Sequence, residues 1–431
     1  RGGWEAPGGN RAAAAGPPGT NAAASATAGD TNPPTPRWPV SGGGPPPPPP
    51  PAPGPAPTGG PPAPPPAAPT GPAATAAPTP EGAVLPAPLY ILEAGQVARI
   101  ERDGQSRAVI TAEPPPLPGL EPIAEFAVAP TGALAYIVSD VEADRLVLAD
   151  ARGQNPTARY EQQGHELSDL VFAPDGQSLL LRLLNNREPP DLPSGLYRLP
   201  LAGGEPELLR ADDEPADPIN PARSVSGYRP VAFSPDGARV LLQVFSLFYE
   251  DCGLGVIAAD GGEVTRVSLP EGQGFFCGEE AWSADGAAVL FLAGATEGDG
   301  AGPRLWSADA ATGVAQPLLA EGSFARAPLG MPGGTTRFFV ADLARDSGGS
   351  VVEVTFAPAE LAGPGAAPAE LAPPFDQRLD RALWAPDGAG AAVEVSDAGG
   401  RPTLRWLPVA GDPLDLPSAD ATVVQLAWGA E

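Results

Sequence analysis

The sequence predicts an all-β protein, a seven-bladed β-propeller that follows an extended proline-rich arm. Three observations support this prediction. An apolar run ends in the same kind of turn six times, at intervals of roughly fifty residues. Short apolar runs separated by Gly, Asp and Pro continue from residue 87 to the end. Each end of this region supplies only part of a blade, which indicates a ring closed by both termini.

The repeated turn follows the first strand of each predicted blade. Its best copies carry an aromatic residue four positions before a glycine; they are Phe172–Gly176, Phe233–Gly237, Trp282–Gly286 and Trp384–Gly388. Weaker copies end at Gly132 and Gly334. Asp and Gly suit such turns because a tight hairpin needs positive φ or a side chain that caps its own backbone. One copy per blade is typical of a propeller.

Residues 1–86 form the predicted arm, and residues 87–431 form the predicted propeller. Pro, Ala, Gly and Thr dominate the arm, which includes seven consecutive prolines from Pro45 to Pro51. Large aliphatic side chains are too few there to bury a core, so we expect polyproline II conformation. The large anchors expected to contact a partner are Trp4 and Trp38. Candidate O-glycosylation sites beside proline are Thr35, Thr58, Thr70 and Thr79.

The clearest predicted blade runs from Tyr228 to Leu269. Its four strands are Tyr228–Ser234, Arg239–Phe248, Leu254–Ala259 and Glu263–Leu269. Six continuous blades are predicted to begin near residues 124, 169, 230, 280, 326 and 381. This order leaves strands over at both ends of the chain.

The two ends together complete the seventh blade. Leu89–Thr111 supplies three strands without a first strand, and Val423–Trp428 resembles a first strand. Pairing them closes the ring and removes exposed sheet edges. The sequence begins at Arg1 instead of Met, so we expect a processed or trimmed chain.

Aromatic residues recur at one position of the repeat, at the end of the first strand. They are Phe172, Phe233, Trp282, Trp384 and Trp428. We predict that they pack between successive blades; an aromatic cage for a ligand is the alternative. The unit around Gly330 lacks the aromatic residue and is predicted to be the least well packed.

The Pro-Asp-Gly turn after an aromatic first strand resembles the WD40-like propeller repeat of the TolB family. The resemblance covers most of residues 87–431. It implies an extracytoplasmic, non-enzymatic binding module. TolB resembles a six-bladed propeller preceded by a small α/β domain, whereas this chain has a proline-rich arm there. The partners of TolB are therefore not transferred to this chain.

The two cysteines are predicted to form a disulfide. Cys252 falls in a predicted loop between strands two and three, and Cys277 falls in the connection to the next blade. Both kinds of connection emerge on the same face of a propeller. A bridge across about 25 residues contributes roughly 3 kcal/mol. It also indicates an oxidising, extracytoplasmic compartment.

Charge and composition argue against several partners. The net charge is −27 and all 25 basic residues are arginine, which disfavours binding to nucleic acid or anionic lipid. No apolar run is long enough to cross a membrane. No cofactor or metal site is predicted, and the single histidine, His165, is expected to be a solvated loop residue. A solvated acidic loop is expected at Asp212, Asp213, Glu214 and Asp217.

These observations favour a non-enzymatic extracytoplasmic scaffold, structural or adhesive. Its arm would link the propeller to other copies in a surface assembly or filament. One alternative is a TolB-like accessory module that binds another envelope protein. The other is a glycan-acting propeller enzyme, which needs two carboxylates. The sequence singles out no such pair among 52 acidic residues, and no catalytic residue is predicted.

Overall fold

The computed structural model describes most of the chain after the arm. The described residues are 82–141, 143–187, 190–213, 226–246, 252–295, 302–345, 351–419 and 422–430. The predicted arm anchors Trp4 and Trp38 lie outside this part, as do the four candidate glycosylation threonines, Thr35, Thr58, Thr70 and Thr79. The predicted domain boundary at residue 86 stays a prediction.

The structure is a seven-bladed β-propeller of seven four-stranded antiparallel sheets. The chain begins the propeller with three strands that belong to the last sheet, β1 (Leu89–Glu93), β2 (Gln96–Ile100) and β3 (Arg107–Val109). Sheet 1 contains β4 (Ile123–Val128), β5 (Leu134–Val138), β6 (Arg145–Ala149) and β7 (Thr157–Glu161). Sheet 2 contains β8 (His165–Phe172), β9 (Ser178–Asn185), β10 (Gly195–Pro200) and β11 (Glu207–Ala211).

Sheets 3 to 6 repeat the same order. Sheet 3 contains β12 (Ser226–Phe233), β13 (Arg239–Ser246), β14 (Cys252–Ala258) and β15 (Thr265–Arg266). Sheet 4 contains β16 (Gln273–Trp282), β17 (Ala288–Ala295), β18 (Arg304–Asp309) and β19 (Ala315–Pro317). Sheet 5 contains β20 (Phe324–Gly330), β21 (Thr336–Arg345), β22 (Val351–Leu361) and β23 (Ala369–Glu370). Sheet 6 contains β24 (Arg378–Trp384), β25 (Gly390–Ser396), β26 (Pro402–Pro408) and β27 (Leu414–Asp415).

Sheet 7 combines β28 (Val423–Trp428) with β1, β2 and β3. The pairing of β28 with β1 is antiparallel, with Leu89 opposite Trp428. Within the described residues no helix is long and apolar enough to cross a membrane, and the one helical segment is the short 3-10 turn Pro332–Gly334.

Because the strands are antiparallel, the connections fall on two opposite faces. We call the face that carries the turns between first and second strands, and between third and fourth strands, the turn face. The opposite face carries the connections between second and third strands and from each sheet to the next, and we call it the loop face. First strands begin at the loop face. They start up to several residues earlier than predicted, as at Gln273 in β16.

Aromatic residues at the end of the first strands pack between successive sheets. Phe172, Trp282 and Trp384 are each less than a tenth exposed and belong to clusters that span two sheets. Phe233 and Trp428 are partly buried against similar clusters. The indole of Trp384, for example, lies 5.2 Å from the ring of Phe339 in the preceding sheet. These aromatic side chains therefore contribute to the apolar contact between blades, as predicted.

Gly330 of sheet 5 and Val128 of sheet 1 occupy this position instead of an aromatic residue, and the lower packing expected around Gly330 stays a prediction. A Cβ atom on Gly330 would lie 2.4 Å from the carbonyl oxygen of Trp282 in the preceding sheet. The backbones of sheets 4 and 5 therefore approach too closely there for any side chain. Direct backbone contact replaces the aromatic wedge.

Candidate functional site

One position of the first strand faces the next sheet in a similar way around the propeller. It lies three residues before the aromatic position, and we call it the latch position. Its occupants in sheets 1 to 7 are Glu125, Asp169, Pro230, Glu279, Ala327, Arg381 and Gln425. The pairing of first and second strands shifts register in all seven sheets. Such a bulge leaves a backbone group without a partner in its own sheet.

Glu125 of sheet 1 uses both carboxylate oxygens to bind the bulge of sheet 2. It accepts hydrogen bonds from the backbone N–H groups of Asp169 at 2.7 Å and Leu170 at 2.6 Å. Asp169 adopts a positive φ of 61°, which turns these two N–H groups toward the neighbouring sheet. The latch therefore satisfies donors that the bulge frees.

The same contact recurs elsewhere in the ring. Glu279 of sheet 4 accepts the N–H of Ala327 in sheet 5 at 2.7 Å, and Ala327 also has a positive φ of 47°. Gln425 of sheet 7 accepts the N–H of Phe126 in sheet 1 at 3.0 Å and donates to its carbonyl oxygen at 2.8 Å. A carboxylate or an amide at this position thus links neighbouring sheets.

The carboxylate of Asp169 is not needed for the latch, because Ala327 occupies the equivalent position without one. Asp169 accepts a hydrogen bond of 2.6 Å from the Ser168 hydroxyl and lies 3.6 Å from the Arg229 guanidinium of sheet 3. Its backbone N–H binds Glu125, and its negative charge acts on the Glu125 carboxyl group. This carboxyl pair is the part of the ring that the fold itself does not explain.

The environment raises the pKa of both acids. Burial, and then the negative charge of Asp169, raise the pKa of Glu125 to about 7, although its two N–H donors favour the charged form. Burial also raises the pKa of Asp169, against the opposing effects of Ser168 and Arg229. Paired carboxylates that resist joint ionisation are the arrangement that general acid–base catalysis uses.

Arg229 places a positive charge beside the pair. Its guanidinium is 45% exposed and lies 4.2 Å from the centre of the Phe245 ring. Arg182 lies 4.9 Å from the same ring and forms two hydrogen bonds of 2.8 Å with Asp212. Arg182 is buried and paired with Asp212, so among these two arginines Arg229 is the exposed cation that an incoming anionic or hydroxyl-bearing group would meet near Asp169.

His165 is buried, so the prediction of a solvated loop residue is wrong. It begins β8, its side chain has 0% exposure, and its ring lies between Tyr160 and Asp191. The Tyr160 hydroxyl is 2.7 Å from Nδ1, and the Asp191 carboxylate is 3.0 Å from Nε2. Burial raises the pKa of Tyr160 to about 12, so the phenol stays protonated and donates to Nδ1. The imidazole then donates to Asp191, and the three groups form a structural bridge between sheets 1 and 2.

The acidic segment after β11 is also more structured than expected. Asp212 is paired with Arg182, and Asp213 accepts hydrogen bonds from Tyr228 and Arg210. The other two acids of the predicted loop lie outside the described residues; they are Glu214 and Asp217. Arg182 on β9 and Arg210 on β11 bind the two described acids, and composition alone does not indicate these contacts. In the described part of the chain, no three His, Cys, Asp or Glu side chains cluster to hold a metal ion.

Cys252 and Cys277 form a disulfide with Cα atoms 6.4 Å apart. It joins sheet 3 to sheet 4 near the loop face, as predicted. The cysteines lie in strands, however, and not in loops: Cys252 is the first residue of β14, and Cys277 lies within β16. The longer strands explain the difference.

The sequence analysis missed Glu125 and Asp169 because nothing marks either residue in isolation. The available signal was the register of the repeat. Aligning the seven first strands at the position of the five aromatic residues would have placed Glu125, Asp169, Glu279 and Gln425 in one column. Acids in that column in two successive blades, as at Glu125 and Asp169, predict carboxylates on the first strands of adjacent sheets.

No family model and no curated protein sequence matches the chain. Among solved structures, TolB from Acinetobacter baumannii is 15% identical, with a TM-score of 0.46 over 80% of this chain and 67% of that one. A prolyl endopeptidase is 11% identical, with a TM-score of 0.52 over 75% of this chain and 47% of that one. An oligogalacturonate lyase from Vibrio parahaemolyticus is 14% identical, with a TM-score of 0.51 over 73% of this chain and 83% of that one.

These likenesses show the fold and not an activity. TolB-type propellers are among the structural neighbours, whereas membership of the WD40-like repeat family stays a prediction. The chain spans about half the length of the prolyl endopeptidase, and the rest of that enzyme has no counterpart in the match.

The prediction that the chain is not an enzyme is corrected by the same comparison. A lyase and an endopeptidase share this architecture at TM-scores of 0.51 and 0.52. The fold is therefore no ground for excluding catalysis, and activity has to be judged from the carboxyl pair itself.

Proposed function

We propose that the chain is an extracytoplasmic scaffold whose proline-rich arm links the propeller to neighbouring copies. The observation that supports this proposal is where the chain enters the propeller. The N–H groups of Val84 and Leu85 donate to the carbonyl oxygen of Arg102, at 2.7 and 2.9 Å. Arg102 lies in the β2–β3 connection, so the chain enters on the turn face.

This entry point makes the two faces of the propeller different, because the arm is attached on one of them. The arm precedes a segment fixed on the turn face, whereas the longer connections and the disulfide lie toward the loop face. A contact from the arm of one copy to the loop face of the next would be heterologous. Repeated contacts of that kind build rings or open filaments.

The disulfide supports an extracytoplasmic location. Cys252 and Cys277 hold two neighbouring sheets together, and structural disulfides persist in oxidising compartments. The net charge of −27 keeps unassembled copies soluble and apart, so a specific contact is needed to join them.

Deleting residues 1–81 tests the scaffold. We expect the full chain to assemble in light scattering and the shortened chain to be a folded monomer with an unchanged thermal unfolding midpoint. A full chain that is monomeric at every concentration would refute the proposal. A specific foreign protein retained by the shortened chain would instead favour the accessory binding module.

A second candidate function is glycan cleavage at the carboxyl pair, favoured by the contact of Glu125 with Asp169, the exposed Arg229 beside Asp169 and the raised pKa of both acids. Glu125 would donate a proton to the leaving oxygen and Asp169 would act as base or nucleophile, the division of roles that glycosidases use. We expect release of reducing ends from a panel of polysaccharides to fall above pH about 7, as Glu125 loses its proton.

Matched variants separate catalysis from folding. Glu125→Gln and Asp169→Asn should both abolish the release of reducing ends. Glu279→Gln alters the same latch position in sheet 4, away from the pair, and should leave release unchanged. No release by the wild-type chain, or equal release by all variants, would eliminate this function.

A further inference from the structure

We infer that one apolar corner of the loop face binds the Pro36–Pro39 segment of a second copy. We define the apolar corner by Leu117, Leu120 and Val141. This inference rests on the proposed scaffold function and names its docking surface. The partner is thus another molecule of the same chain, and the ligand is its Pro-Arg-Trp-Pro sequence.

The corner exposes large apolar side chains on a strongly acidic protein. Leu117, Leu120 and Val141 are 49%, 53% and 66% exposed. Leu117 and Leu120 lie in the connection from β3 to β4, and Val141 lies in the connection from β5 to β6. Both connections belong to the loop face, at sheets 7 and 1. The Ser139–Pro122 hydrogen bond continues the antiparallel pairing of β4 and β5, so the segments that carry Leu120 and Val141 run beside each other. Exposed apolar side chains on adjoining segments mark binding surfaces.

The connection that presents the two leucines is held in place. A turn joins the Leu120 N–H to the Leu117 carbonyl at 3.1 Å, and the Ser139 N–H donates to Pro122 at 2.9 Å. Pro122 also packs so closely on Gly95 that a Cβ there would lie 2.5 Å from its ring. The corner is therefore preorganised, which lowers the entropy cost of binding.

The negative charge around the corner favours the part of the arm that carries an arginine beside a tryptophan. Exposed carboxylates flank the corner at Glu121 and Asp140. Arg37 stands directly before Trp38, so a tryptophan entering the corner brings a positive charge beside these acids. Tryptophan and arginine are the side chains most often found at the energetic centre of protein interfaces.

The flanking residues favour Trp38 over Trp4. Trp38 lies between prolines at 36 and 39, which favour polyproline II and so lose little entropy on binding. Trp4 has Gly3 before it and Glu5 after it. The glycine adds entropy to be lost, and the acid would be repelled by Glu121 and Asp140.

The entry of the chain on the turn face favours a second copy as the source of the bound segment. Val84 and Leu85 are bonded to Arg102 on the turn face, opposite the apolar corner, so a copy stacked against that face would present its own loop face to the arm. In a head-to-tail row this path needs no return around the rim. Each arm then occupies the corner of its neighbour.

Sedimentation velocity of the full chain tests the docking surface. Trp38→Ala removes the ligand, and Leu120→Asp spoils the corner; each should weaken self-association at least tenfold. Trp4→Ala is the matched control in the arm. Val314→Asp is the matched control on the turn face, where Val314 is 65% exposed. Both controls should assemble as the wild type does.

Mixing the two defective chains gives the decisive result. The Leu120→Asp chain keeps an intact arm and the Trp38→Ala chain keeps an intact corner, so the mixture should stop at a one-to-one dimer. A mixture that stays monomeric, although the wild type assembles, would refute the contact between Trp38 and the corner. Assembly unaffected by Leu120→Asp would refute the corner alone, whereas a monomeric wild type would refute the scaffold as well.

Discussion

The carboxylate of Glu125 accepts a 2.7 Å hydrogen bond from the backbone N–H of Asp169 in the next sheet. Glu279 makes the equivalent contact to Ala327, and Gln425 makes a related one to Phe126. Hydrogen bonds from the latch position thus join the first strands of neighbouring sheets, in addition to the apolar contacts between blades. The comparison with Glu279 and Ala327 shows that the latch uses the glutamate and does not need the carboxylate of Asp169.

Exchanging acid and amide at the latch position should destabilise the protein in both directions. Glu125→Gln turns an amide N–H toward a backbone N–H, and Gln425→Glu turns a carboxylate toward the Phe126 carbonyl. Each should lower the free energy of unfolding by about 1–3 kcal/mol, the cost of an unmet buried polar group. Urea denaturation measures the change. Equal stability of all three proteins would contradict the latch.

The raised pKa of Glu125 predicts a pH dependence of stability. The folded-state pKa of about 7 exceeds the ordinary value of 4.5, so the folded protein binds more protons than the unfolded chain between these pH values. Stability should therefore fall as pH rises from about 4.5 to about 7, and level off above it. The raised pKa of Asp169 acts in the same direction.

Asp169→Ala is the control for this effect. It recreates the Glu279–Ala327 arrangement, so the latch remains, while the negative charge that raises the pKa of Glu125 is gone. We expect a shallower decline in the urea midpoint across the same pH range. A decline as steep as that of the wild type would show that the two carboxyl groups do not interact.

Gly330 should tolerate no side chain. Gly330→Ala places a Cβ 2.4 Å from the Trp282 carbonyl oxygen and should lower the free energy of unfolding by about 2–4 kcal/mol. Gly363→Ala is the matched control, because no neighbouring atom lies within 4 Å of its Cβ. Thermal unfolding of the two variants tests this, and equal midpoints would contradict the close approach of sheets 4 and 5.

Removing the disulfide should weaken the junction of sheets 3 and 4. Replacing Cys252 and Cys277 by serine should lower the free energy of unfolding by roughly 3 kcal/mol, as expected for a loop of this length. The native fold should persist, since the aromatic cluster around Trp282 also joins these sheets. Denaturation under non-reducing conditions gives the comparison, and an unchanged midpoint would contradict a structural role.

The repeat made the architecture predictable from the sequence. The polar contacts between the first strands of neighbouring sheets could not be predicted from it. The turns near Asp175, Asp236 and Asp387 mark the blades because few residues satisfy a tight hairpin. The bulges carry no such mark, since alanine and aspartate both occupy them at positive φ. The exposure of His165 was predicted wrongly for a related reason. Its burial depends on Tyr160 and Asp191, which approach it only in the folded chain.

Electron microscopy of the full chain tests the central proposal most directly. If the arm of each copy binds the loop face of the next, negatively stained particles will form rows of discs stacked face to face, and the Trp38→Ala chain will give single discs. Fields of isolated wild-type discs at concentrations where the protein is abundant would contradict the account.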